Sequence, residues 1–414
     1  SDVCSSDLSG AALASDKSVY EGGIKFLVWY RGQSDLRFTN VTFNSPAATP
    51  FTFGKNANYE SHRVFLTGCN IVGFGGDLNV ADQVFIDRTN FYLTNDGWTA
   101  LANNGGSRLS MTNSTGQSYY VLRQQMNSSY SINDKLSADW GQRFVWNAGQ
   151  FGNIRDLYFS GNSTSNLGTR KTSKDPNVGE QYGWEFNFAQ YQGYATSWTD
   201  RSMTFSNLPA NLNGVYYAVV VDGQGVGQTR RVSSISGQTV TLETPWGVAV
   251  DGSSKIMLGN LAEGAVLYKN RIVGLKENRD RATDNASAGI ILFGGSHDFV
   301  IDGNTIQQIR LPVSIWSLAQ NDPLNPSLVN SMVQPSSFNM IVNNTITDSR
   351  RGIALVTAAY NVSADCGPTG TNVSLAGNII RGNTLANIAT SGIEAGYVRS
   401  WALWPTNQRI EDNV

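Results

Sequence analysis

Apolar and polar positions alternate in short blocks along most of this chain. Residues 288–304 read AGIILFGGSHDFVIDGN, with two apolar stretches separated by GGSH and closed by Gly-Asn. The unit returns as FNMIVNNTI at 338–346 running into GIALVT at 352–357, and as NIIRGNTL at 378–385 running into GIEAG at 392–396. Earlier copies are RVFLTGCNI at 63–71 and QVFIDRTNF at 83–91. Each block is an apolar strand, a small-polar corner, an Asn, and a further apolar residue one or two positions on.

Spacing turns this pattern into a fold. Asn70, Asn90 and Asn113 lie 20 and 23 residues apart, and Asn304, Asn344 and Asn383 lie 40 and 39 apart. A period near twenty without helical phasing predicts short strands stacked coil on coil. Asn at a fixed corner suits a left-handed backbone and can bond its counterpart one coil away, so these Asn side chains predict a ladder. The expected fold is all-β: a right-handed parallel β-helix (solenoid) with an inserted small antiparallel β-subdomain.

Along the chain, residues 9–214 read as N-terminal coils, with a long aromatic and charged excursion over about 127–214 that breaks the rhythm. Long loops in compact folds usually carry function or are disordered, and the aromatic density argues against disorder. Residues 215–258 read as consecutive antiparallel strands, with Asp222-Gly223 and Ser236-Gly237 as hairpin turns. Residues 259–414 resume the coils, and Trp401, Trp404 and Pro405 are expected to begin a cap. The first eight residues, SDVCSSDL, read as the translation of a common short-read sequencing adapter, so 1–8 is taken as an assembly artefact. A signal segment is then expected upstream.

These blocks resemble the right-handed β-helix superfamily: pectate lyases, polygalacturonases, other polysaccharide lyases and hydrolases, and phage tailspikes. The resemblance spans most of 24–130 and 265–400. It implies an extracellular protein of bacterial or phage origin that acts on a polysaccharide. Family machinery carries over poorly. Polygalacturonases have Gly-His-Gly and paired Asp, whereas this chain has Ser296-His297-Asp298 and no Asp-Asp pair. No stack of Asp matches a pectate-lyase calcium site, although Asp280 and Asp284 could take calcium. No cofactor is expected otherwise.

Composition removes other classes. The formal net charge is −2 with 15% charged residues, which argues against a nucleic-acid surface. No apolar run reaches 18 residues, so no membrane span is expected. Cys4, Cys69 and Cys366 are too scattered for a disulfide framework or a zinc site, and Cys69 and Cys366 read as free thiols. No coiled-coil heptad is evident, which favours a monomer over a trimer.

Aligning the later coils stacks Ile290, Val313, Ile353 and Ile393 as inward positions. Ile291, Ser314, Ala354 and Glu394 then face outward. Glu277, Asp280, Arg281, Asp284, Arg310, Asp348, Arg350 and Arg351 lie on the loops entering this sheet. Glu394, Asp280, Asp284, Glu180 and Glu185 are the acid/base candidates for cleaving a glycosidic bond. Arg281 and Arg350 are candidates for holding sugar anions. Trp184 and Trp316 are the stacking candidates. The alternation of Trp184 with Phe186 and Phe188 equally fits an inward strand face. Two functions follow: a secreted glycoside hydrolase or polysaccharide lyase working in a groove along one sheet, or a non-catalytic glycan-binding or structural module such as a tail-fibre part or adhesin.

Overall fold

The computed structural model describes residues 12–14, 26–30, 32–45, 49–53, 61–73, 76–79, 81–93, 99–104, 107–118, 143–148, 154–165, 180–185, 189–212, 215–276, 279, 287–320, 332–359, 373–398 and 404–414. Three parallel sheets wrap one apolar interior. Among the described residues the first has ten strands, from Ala12–Ala14 to Thr384–Ala386; the second has 11, of which Met332–Gln334 pairs antiparallel, and the third 14. One coil shows the path: Thr305–Gln307 in the first sheet, Leu311–Gln320 in the second, Ser336–Ser337 and Met340–Val342 in the third. Thr345–Thr347 then pairs in register over Thr305–Gln307. This is a parallel β-helix.

Period-two alternation places the core. In Ser61–Thr67, Ser61, Val64 and Leu66 are buried while His62, Arg63 and Phe65 face out. Two consecutive outward residues require a kink, and Arg63 supplies it with φ 57. Gln83, Arg108, Asp156, Gly264 and Asp298 hold positive φ at the same place in later coils. One hydrophobic cluster runs from Leu36 to Ile380 along the interior.

The Asn ladder exists, and the sequence reading of it needs two corrections. Asn304, Asn344 and Asn383 do stand above one another. The Nδ2 of Asn304 donates to Oδ1 of Asn344 (2.9 Å), and Asn344 repeats this to Asn383 (2.9 Å). The same column extends through Asn162 and Asn270 below and Asn413 above. However, these residues are not left-handed. The left-handed residue is the one before each: Gly303, Asn343 and Gly382, with φ 65, 56 and 66. It turns the chain so that the next side chain points inward. Asn70, Asn90 and Asn113 also belong to other positions, although Asn90 Nδ2 does donate to Asn70 Oδ1 (3.1 Å), the counterpart bond that the spacing predicts. Asn70 and Asn90 open strands, and Asn113 is itself the left-handed residue (φ 50). The inward slot there holds Cys69, Thr89 and Ser114. The Cys69 Sγ donates to the carbonyl of Phe38, the bond that Asn304 Nδ2 makes to Leu267.

The chain departs from the expected organisation in three places. Arg143–Ala148, Arg155–Ser160, Ser163–Ser165 and Glu180–Glu185 are ordinary rungs, so the coils continue through the supposed excursion. Long connections hide them: the inward slot passes from Ser114 to Asn162, 48 residues on, and then to Asn270, a further 108. The antiparallel sheet begins before 215. It has seven strands and takes in Tyr191–Tyr194, Ser197–Trp198 and Ser202–Thr204. Those strands are short and lack apolar alternation, so the pattern does not reveal them. Finally, Trp404–Thr406 pairs in parallel with Val373–Ala376, so it is another rung rather than a cap.

The seven-stranded insert has apolar side chains on both faces. Met203, Phe205, Val220, Val240, Trp246 and Ile256 form its own core. Tyr217, Val219, Val221 and Met257 pack with Leu261 and Met332 of the coils. That second layer docks the insert onto the solenoid. Among the described residues no helix is long and apolar enough to cross a membrane. Cys69 is buried and free, and burial pushes its thiol pKa up. Cys4, Cys366 and residues 1–8 lie outside the described residues.

Candidate functional site

The second sheet presents the outer column predicted from sequence. Ile291 pairs with Ser314, Ser314 with Ala354, and Ala354 with Glu394, while Ile290, Val313, Ile353 and Ile393 pair on the opposite parity. The carboxylate comes at the end of this column, on Ile393–Val398. Its Oε2 lies 3.8 Å from Nη1 of Arg351, with side-chain exposures of 20% and 18%. Arg351 is placed by its own N–H donating to the carbonyl of Arg310 (3.0 Å). Arg350 sits one residue earlier, at the corner, where its carbonyl accepts from Thr390 N–H and Oγ1. Thus Arg351, rather than Arg350, reaches the glutamate. Arg310 is buried beside them.

On the coils next to Glu394 the described outer face is closed. Ile291, Trp316, Leu318, Ala354 and Val356 form a buried apolar cluster, with Phe293 packed against it. Trp316 is on the outer register, opposite Phe293 and Val356, but only 2% exposed. It offers no open face for a sugar, and its role as a stacking residue is withdrawn. Trp184 is withdrawn for a different reason: it is fully buried inside the tube, edge-on to Phe159 and Phe299. The inward-face alternative read from its alternation is the one found. Glu180 and Glu185 lie at the two ends of one strand of this sheet, their backbones paired with Ala288 and Phe293. Asp280, Asp284 and Arg281 fall outside the described residues. The structure therefore joins Glu394 to Arg351.

A second cluster was missed. Glu263 and His297 are direct partners on adjacent coils of the third sheet. Glu263 Oε2 accepts from Arg231 Nε (2.7 Å) and from the Tyr217 hydroxyl (3.1 Å), both from the insert. His297 Nδ1 lies 3.0 Å from Asp298 Oδ2. Burial works against the Arg231 charge, but the Glu263 hydrogen bond and charge outweigh it and hold the guanidinium pKa up. The side-chain oxygens and nitrogen of Glu263, His297 and Asp298 lie within 4.8 Å of one another, a spacing a cation could bridge. However, Arg231 already neutralises Glu263 and Asp298 is solvent-exposed, so neither carboxylate needs a metal to offset its charge. It reads as the polar latch between insert and solenoid. No sequence signal exposes it, because Arg231 and Glu263 lie on different elements 32 residues apart.

A parallel β-helix is thus the class of protein that fold and register define. No protein-family model matches the chain, and no curated protein does. Among solved structures it is similar to tailspike protein 3 of bacteriophage CBA120, at 9% identity and a TM-score of 0.24, over 94% of this chain and 54% of the tailspike. The chain spans about half the length of that protein. So low a score carries no argument, and the assignment of fold rests on the sheets themselves.

Proposed function

We propose that this chain is an extracellular carbohydrate-active protein that cleaves a polysaccharide on the outer face of its second sheet. The observation that carries the reading is the Glu394–Arg351 pair: two charges, each about one-fifth exposed, at the end of an outer column whose other residues, Ile291, Ser314 and Ala354, are uncharged. The pair sets a guanidinium, the group that recognises a sugar carboxylate, beside a carboxyl group that can handle a proton. In hydrolysis Glu394 gives its proton to the glycosidic oxygen as the C–O bond breaks, water adds at the anomeric carbon, and the proton that water loses returns to the Glu394 carboxylate. In β-elimination the Glu394 carboxylate takes the C5 proton of a uronate, the C4–O bond breaks, and that proton passes to the departing oxygen, leaving an unsaturated product.

The test is digestion of a neutral and acidic polysaccharide panel, scored for new reducing ends and for the ultraviolet absorbance of unsaturated uronates. Both signals appear for elimination, and reducing ends alone for hydrolysis. Glu394→Gln is expected to lower turnover by roughly 10²–10⁴-fold. Wild-type protein that binds a glycan but releases no product from any of them would establish the second reading, a glycan-binding or structural module. The closed apolar surface around Trp316 favours that reading.

A further inference from the structure

The third sheet carries an outward column that the function above does not use. Arg37 pairs with Phe65, Phe65 with Phe85, Phe85 with Ser110, and Ser110 with Tyr158, one residue per coil. The first three form a stack. Arg37 lies 4.1 Å over the Phe65 ring, and Phe65 and Phe85 stack at 5.1 Å with planes 11° apart. One face of Phe85 is therefore covered, and stacking turns the other face toward the next coil. That coil offers only Ser110, too short to fill the space. Tyr158 follows one coil further. Phe85 is 42% exposed and Tyr158 40%.

We propose that Phe85 and Tyr158 clamp a hexopyranose ring over Ser110. Two coil spacings separate the aromatic residues by about 9.6 Å. A flat heteroaromatic ring needs only about 3.5 Å on each side, so it would rattle there. A pyranose chair is thicker because axial C–H bonds project from both faces, and it spans the slot. Axial C–H on both faces without an axial hydroxyl defines the ligand class: an all-equatorial β-hexopyranose of the glucose or N-acetylglucosamine type. Its equatorial hydroxyls would point sideways, and polar side chains stand there. On one side are Arg108 and Asp156, both exposed at the kink. On the other is Asp87, which accepts from Thr112 Oγ1 (2.7 Å). This clamp is on a different sheet from Glu394 and independent of it.

The experiment is saturation-transfer NMR with cellotetraose and the N-acetylglucosamine tetramer, with a galacturonate tetramer as contrast because its axial hydroxyl spoils one face. Cellotetraose or the N-acetylglucosamine tetramer should bind in the millimolar range, and the galacturonate oligomer more weakly. Phe85→Ala and Tyr158→Ala should each weaken binding by roughly 2- to 10-fold. The sharper variant is Ser110→Phe, which continues the ring stack. It should abolish binding while leaving the thermal midpoint unchanged or raised. The clamp is read by oligomer binding and the cleavage reading by product release, so failure of either is told apart from failure of the other. No saturation by either equatorial oligomer at about 10 mM, or binding that survives Ser110→Phe, overturns the proposal.

Discussion

The coils before residue 160 and those after 265 solve the same corner with different chemistry. In the later coils the inward slot is Asn at 270, 304, 344, 383 and 413, each carboxamide bonded to the next. In the earlier coils the slot is Cys69, Thr89 and Ser114, and cohesion shifts to packed rings and surface ion pairs. Phe38, Phe43, Phe51 and Phe53 contact one another inside. Asp35 takes two bonds from Arg63, and Asp82 is gripped by Arg108 and Ser107. The difference follows loop length. Up to Ser114 the early coils repeat every 20 to 28 residues, whereas those from Asn270 on take 30 to 40. A long loop leaves its corner less constrained by chain connectivity, and a fully satisfied buried ladder restores the register.

The largest expected effect comes from breaking the ladder in its middle. Asn344 accepts from both the N–H and the Nδ2 of Asn304 and donates to Ile301 and Asn383. Asn344→Ala strands those buried groups and should cost about 3 kcal/mol in denaturant unfolding. The same change at Asn70, which opens a strand at the coil surface, should cost well under half as much. Equal losses would mean that the two corners are not chemically distinct.

Acid sharpens the contrast. Asp35, Asp82 and Asp87 all have lowered pKa values. The Arg63 hydrogen bond is the main cause for Asp35; for Asp82 and Asp87 burial pushes the other way, but Arg108 and Ser107, and Thr112 and Arg88, outweigh it. A depressed folded pKa stabilises above the unfolded value of about 3.9, and that stabilisation is lost as pH falls through the lower folded values. Carboxamides do not titrate. Hydrogen exchange measured from pH about 5 downward should show the amides of Phe65 and Phe85 losing protection before those of Asn304 and Asn344. Simultaneous loss in both halves would contradict the assignment.

The smallest effect is a gain. Ser114 already donates its N–H to Asn162 Oδ1 (2.9 Å). Ser114→Asn places a carboxamide in the same slot and extends the ladder by one coil. It should add about 1 kcal/mol, read as a higher denaturation midpoint.

The later ladder was legible because one residue type recurring at a spacing of 39 to 40 hardly arises except from stacked coils. The early half was misread because Asn serves three neighbouring positions for separate reasons. It tolerates positive φ at Asn113, fills the inward slot at Asn344, and opens a strand at Asn90. In Asn343-Asn344 two of these uses are adjacent, and sequence alone cannot divide them. At the candidate site, strand parity located Glu394 on the outer column. Parity says nothing of what covers a face, so it could not show that Trp316 is shut away. Trp184 fitted two readings, and the need to fill a wide interior decided for burial. The Arg231–Glu263 latch depends on how a separate sheet docks, which no local pattern encodes.

The insert leaves and rejoins the coils at one spot. Its outgoing strand Tyr191–Tyr194 is hydrogen-bonded to its returning strand Lys255–Gly259, with Tyr191 opposite Leu258. A detour whose two feet touch exerts no pull on the winding beneath it. The solenoid can therefore gain, lose or exchange such an appendage as a unit, with its pitch untouched.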